Sequence, residues 1–319
     1  TTLNDGTLRV SADANLGGAT GTLTLAGGRM EFLSSFDFAA TRNIVSSGGG
    51  GILYLNGNTV TVAGSVSGPT GLSIRDGKLI LTGNNTIQSL DVRGGTLAVA
   101  SVDSLGLGTR GLRLAQDGTL QFLSGFTTAN SLALLGSDGN IDTNGFDATL
   151  TGQAFGGGRL VKKGTGALTL TGSNSYTGGT LVSGGALAVS SDDNLGTGGL
   201  TLDGGALKTL GNLTSSRAVT LGAGGGTVDT DVFTSTLSGP VDGAGRLSVA
   251  GTGKLSLTGA NAYSGGTTIS GGSTLAIAGD AALGDVTGGI TFDNGTLQWL
   301  GTFNLASTRA ITLNAGGGT

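Results

Sequence analysis

A Leu-Gly pair returns at Leu16-Gly17, Leu105-Gly106, Leu195-Gly196 and Leu283-Gly284, in steps of 89, 90 and 88 residues. In each copy another leucine (Leu8, Leu97, Leu187, Leu275) stands eight residues earlier, inside a short run such as Gly95-Thr96-Leu97-Ala98-Val99. A Gly-led run follows each pair, as in Gly21-Thr22-Leu23-Thr24-Leu25 and Gly199-Leu200-Thr201-Leu202. Farther on, Ser216-Arg217-Ala218-Val219-Thr220-Leu221 is nearly repeated as Thr308-Arg309-Ala310-Ile311-Thr312-Leu313. Self-similarity at a fixed period marks a repeat architecture, in which a unit buries its apolar edge only by stacking on its neighbours.

Within a unit the local pattern is strand. Leu168, Leu170, Leu187, Val189, Leu200 and Leu202 alternate with Thr or Ala, the period of two of a half-buried strand. The runs end in Gly-Gly, Asp-Gly or Asn-Gly, which supply the positive φ of tight turns. Leu168, Leu187, Leu207, Val228 and Leu255 read as equivalent strand centres, with an extra strand-like run at 245–249 in the last and longest interval. Four coils of about 20–22 residues per unit are therefore expected, the size of a β-solenoid coil. A sandwich needs longer strands and bulkier core residues. A propeller asks for four strands per about 40–45 residues, but the half-units here are unlike each other. The expectation is an all-β, right-handed parallel β-helix with a super-repeat of about 89 residues, the hand following from the rule for parallel crossovers. One segment covers 1–319, with super-repeats at 1–94, 95–184 and 185–271 and a partial one at 272–319, in a fragment of a longer chain.

Composition narrows the function. Of 319 residues 66 are glycine, about three times the usual share. Yet 37% are hydrophobic, net charge is only −4, and mean hydropathy is +0.21, so the chain should collapse rather than stay disordered. Glycine without a three-residue period is not collagen. No stretch approaches the 18 or more apolar residues of a spanning helix, and the N-terminus shows no signal-peptide pattern. With neither cysteine nor histidine, disulfides, thiolate zinc sites and His- or Cys-based catalysis are excluded. Scattered Lys and Arg and a pI near 4.7 leave no basic patch for nucleic acid.

Two stretches carry a family signature. Residues 158–180 and 245–267 each hold a glycine-rich strand, then Asn-x-Tyr-x-Gly-Gly-Thr, placing Asn174, Tyr176, Gly178 and Gly179 in one copy and Asn261, Tyr263, Gly265 and Gly266 in the other. Both resemble the autotransporter-associated β-strand repeat (PATR-type) of autotransporter passengers. The first unit departs: Leu81-Thr82-Gly83-Asn84-Asn85-Thr86-Ile87 lacks the tyrosine and the Gly-Gly. The resemblance implies a type V secreted protein at the bacterial cell surface or outside the cell, whose parent has a signal sequence and a translocating barrel.

No catalytic, cofactor-binding or metal site is expected. Asp192-Asp193 is the best carboxylate pair, but only one Asp recurs at the matching turns (Asp13, Asp103, Asp280), which suits an Asx turn. Residues 136–142 and 224–231 look like calcium-binding Gly/Asp runs without the nine-residue repeat; a turn fits better, and calcium is the only cofactor entertained. Gly106-Leu107-Gly108-Thr109-Arg110-Gly111 satisfies a dinucleotide fingerprint but enters a strand, not a helix. The small outward residues Thr169, Ala188, Thr201 and Ser256 suit a spacer. The first reading is a non-enzymatic structural or adhesive stalk serving adhesion, aggregation or display, whose partners are host or sibling cell surfaces or its own kind. Two rivals are a secreted filament or surface-layer component, and the scaffold of an enzyme whose catalytic part lies elsewhere.

Overall fold

A computed structural model describes residues 1–108 and 110–319. Two compact units emerge, one of Thr1–Leu160 with Ser175–Thr177 and one of Val161–Asn174 with Gly178–Thr319. Each is a β-solenoid of parallel strands in coils about 21 residues apart. Parallel stacking of coil on coil excludes the propeller. Among the described residues no helix is long and apolar enough to cross a membrane.

In the first unit one face stacks Thr59–Val62, Lys78–Leu81, Thr96–Val99, Thr119–Phe122 and Gly139–Asp142. Register is strict: Val60, Leu79, Leu97 and Leu120 sit above one another, as do Val62, Leu81, Val99 and Phe122. All eight are buried. A one-residue slip would turn this apolar set outward, so burial fixes the register. A second face carries Ile44–Ser46 and Gly51–Tyr54 as separate strands, which both pair with the long strand Val66–Arg75 in the next coil.

In the second unit Ala167–Leu170, Ala186–Val189, Ala206–Thr209, Gly226–Asp229, Leu247–Ala250 and Thr267–Ser270 form one face. Leu168, Leu187, Leu207, Val228, Val249 and Ile269 make its inner column. This corrects the rung assigned to Leu255. The run at 245–249 is the next rung itself, and Leu255 belongs to another face, between Ser235 and Leu275. Both segments read Leu-x-Val or Leu-x-Leu, and local alternation carries no information about which face a strand joins.

The same column corrects the super-repeat. From Leu187 four coils lead to Ile269, 82 residues on, whereas the homologous leucine is Leu275, on the following face. In the first unit the homologous strands Thr7–Val10 and Thr96–Val99 also lie in different sheets. A super-repeat is thus four coils plus one further side, and each recurring feature steps to a new face.

Two of the small outward positions are also reassigned: Ala188 and Ser256 are buried at 3% and 8% exposure, while Thr169 and Thr201 are half-exposed. A side chain this short is shaded by taller neighbours such as Lys208, which lies directly across from Ala188.

Candidate functional site

The Leu-Gly pairs close one-turn helices at Asp13–Leu16, Val102–Leu105, Asp192–Leu195 and Asp280–Leu283. Each leucine is buried and anchors a corner in the apolar interior. Side-chain hydrogen bonds from the preceding coil reach these corners, those of Asn85, Asn174 and Asn261 among them.

Asn261 bridges three coils. Its Oδ1 accepts from the Val241 backbone N–H at 2.9 Å, and its Nδ2 donates to the Ala282 carbonyl at 2.6 Å. Asn174 Nδ2 donates equivalently to the Asn194 carbonyl at 2.6 Å. Asn85 keeps the bridge in the first unit, accepting from Val66 N–H at 2.7 Å and donating to the Ser104 carbonyl. Tyr176 and Tyr263 are both fully buried, so neither ring can stack on a sugar. The Tyr263 hydroxyl lies 2.7 Å from Thr267 Oγ1, and burial pushes its pKa up to about 12. Gly266 takes φ +78° and Gly179 φ +82°, where a side chain is strained. A Cβ on Gly265 would come within 2.4 Å of the Arg246 backbone nitrogen. Gly178 is exposed at the surface of its turn.

An arginine locks three of the four corners. Arg217, from the Ser-Arg-Ala-Val-Thr-Leu run, donates through Nε to Asp192 Oδ1 at 2.8 Å. Its Nη2 reaches the carbonyls of Asp192 at 3.0 Å and Gly196 at 3.2 Å, and its Nη1 that of Gly198. Arg309 holds Asp280, Gly284 and Gly288 in the same way, and Arg42 holds Asp13, Gly17 and Gly21. The side chains of these arginines are 8%, 1% and 0% exposed. The planar five-donor fork suits such a site, gathering several carbonyls and a carboxylate at once. Burial works against the Asp192 charge, but hydrogen bonds from Arg217 and Ser215 prevail and hold its pKa below the ordinary carboxylate value. The hydrogen bond from Arg309 likewise lowers that of Asp280, against partial burial.

The Asx role expected of the recurring Asp therefore belongs to its neighbours. Asn194 Oδ1 accepts from Ser190 N–H at 3.1 Å and Ser191 N–H at 3.0 Å, and Asn15 does the same for Ser11 and Ala12. Asp13, Asp192 and Asp280 face the arginines instead. Asp103 is not their counterpart. Three residues before the corner leucine, where they stand, the second copy has Val102, and where the others have arginine it has Asn130. There the turn is α rather than 3₁₀, and Gly106 closes it at φ 51°, ψ 32°, against ψ of −155° to −161° in the other three. Its carbonyl accepts from Ile87 N–H instead of an arginine.

The remaining candidates are ordinary turn and strand residues. Asp138 pairs with Arg159 at 2.6 Å, Asp142 accepts from Gln121, and Asp229 and Asp231 lie 3.9 and 3.6 Å from Lys208. Of the fingerprint at 106–111, Thr109 lies outside the described residues; Gly111 leads into the strand Leu112–Ala115, as expected. The arginine locks escaped sequence reasoning because each spans 25 to 29 residues, although both halves recur in the repeat. Buried Lys162 was missed too; its Nζ donates to the carbonyls of Lys163, Gly164 and Gly184 at 2.9, 2.9 and 3.1 Å. Chemically, an arginine-locked corner is a set of neutralised charges and satisfied carbonyls around a buried guanidinium, and it holds coils together.

Against known families, residues 76–99, 160–189 and 243–277 match the passenger-associated transport repeat. The third match contains Asn261, Tyr263, Gly265 and Gly266, and the second contains Asn174, Tyr176, Gly178 and Gly179. The autotransporter adhesin BmaC of Brucella suis biovar 1 (strain 1330) is 36% identical over 161 residues, which cover 47% of this chain. The matched region spans 4% of that protein's length. No solved structure matches the chain.

Proposed function

We propose that this chain, an autotransporter passenger segment by its repeats, is a structural and adhesive element of a surface-exposed or secreted protein and not an enzyme. The observation that carries this reading is the coincidence of the passenger repeat with coil-bridging residues: Asn174 and Asn261 spend their side-chain amides on the neighbouring coil, while buried Tyr263 closes its own turn on Thr267. What such a segment offers a partner is its outward strand faces, rich in Thr and Ser, on a scaffold whose stability grows coil by coil. The partners we infer are host or sibling cell surfaces, or further copies of the same passenger. Nucleic acid is a poor partner for a chain of net charge −4.

The test is display. Cells exporting the chain, epitope-tagged at its N-terminus and fused to a translocating barrel, should expose the tag and attach to each other or to coated surfaces more than cells exporting the barrel alone. A displayed tag with no gain in attachment would reject the adhesive part of the reading. The carboxylates of the two calcium-like runs already face Arg159, Gln121 and Lys208, so a chelator should leave the melting temperature unchanged; a fall would support calcium instead.

A further inference from the structure

The corner that lacks its arginine is open. A cavity of about 430 Å³ lies against it, and Ile87, Val102 and Asn130 all line its wall. These are the positions that hold Tyr263, Asp280 and Arg309 in the corner at 280–283. Both side chains of the lock and the tyrosine of the same corner are changed together, and the cavity lies against their replacements. Acceptors remain. Asp103 lines the cavity, is exposed, and forms no ion pair among the described residues. The Leu107 carbonyl corresponds to that of Asp285, which takes Arg309 Nη1 at 3.0 Å; here, among the described residues, it receives Asn130 Nδ2 at 3.4 Å. Val102 is 43% exposed and, with Leu107, offers apolar surface suited to a methylene stem.

The geometry points to a docking site for an arginine side chain of a partner polypeptide, which enters the cavity between Asp103 and Asn130 and replaces in trans the guanidinium that the sister corners supply in cis. The three 3₁₀ corners of the same chain show what the equivalent place holds when its arginine is present: a guanidinium shared between a carboxylate and backbone carbonyls. A charge-assisted contact of that kind discriminates guanidinium from its neutral isostere. The inference stands whether or not the passenger is adhesive.

Calorimetric titration of the 319-residue chain with a blocked Gly-Arg-Gly peptide, and with the same peptide carrying citrulline, tests it. Saturable binding is expected for the arginine peptide, at least tenfold weaker for citrulline and at least tenfold weaker in Asp103→Asn, whose exposed side chain is dispensable for folding. The double substitution Val102→Asp with Asn130→Arg should plug the site and abolish binding. If that variant fails to fold, citrulline and Asp103→Asn decide. Absence of saturable binding, or equal binding of both peptides, or indifference to Asp103→Asn, overturns the proposal.

Discussion

Single residues decide whether a corner closes. Arg217 satisfies a carboxylate and three carbonyls at once, so Arg217→Ala strands buried acceptors. Breaking a fully buried pair costs about 3–5 kcal/mol; Asp192 is 35% exposed, so urea unfolding should show a smaller loss in the second unit, about 1–3 kcal/mol from the stranded carbonyls. Arg217→Lys recovers only part of it, because an ammonium cannot fork between Asp192 and the Gly196 and Gly198 carbonyls. The same residues set the response to pH. Asp192 and Asp280 have folded-state pKa values below the unfolded one. Their contribution is therefore present above about pH 4 and lost as pH falls through the folded values. Tyr263 runs the other way: its raised pKa gives stability that is full below about pH 10 and lost toward pH 12. Thermal melts across pH should decline at both ends, and Arg217→Ala should flatten part of the acid limb. An unchanged acid limb would remove the ion pairs from the account. Sequence pattern made the asparagines, tyrosines and glycines of the corner visible because they are contiguous. It left the arginine locks invisible, since a coil of separation hides a contact that the repeat itself brings into place.

At the scale of strands and coils, alternation specifies which side of a strand is buried, and the structure agrees at Leu168, Leu187 and Leu207. Alternation is blind to which face a strand joins. Leu255 and Val249 are both buried in Leu-x-Val-like strands, and only the length of the intervening turns sends them to different sheets. For the same reason the period of 88 to 90 residues is read easily and its four coils plus one side are not. Equivalent corners then point in different directions around a unit, and features repeated once per period do not line up on one face. Deletion tests this phase. Removing residues 184–271, one period between the leucines at 195 and 283, rejoins homologous strands. That variant should fold, with a cooperative melt and a β-type circular dichroism spectrum. Removing 184–261 instead puts mismatched strands over each other, and it should not fold. Equal behaviour of the two deletions would mean that register is not specified by the repeat.

For the whole molecule, stability is the sum of neighbour interfaces, and every functional reading of the passenger rests on the parallel stacking of coil on coil. The chain has no cysteine, so that stacking can be probed directly. Thr201 and Thr220 are register partners on adjacent strands, about 4.8 Å apart by the strand spacing, within the range that a disulfide spans. Thr201 and Asp242 are two strands apart, at about twice that distance. The double substitution Thr201→Cys with Thr220→Cys should therefore oxidise to an intramolecular disulfide in the folded chain, while Thr201→Cys with Asp242→Cys should remain reduced. Failure of the first pair to close, or closure of the second in its place, would contradict the parallel solenoid.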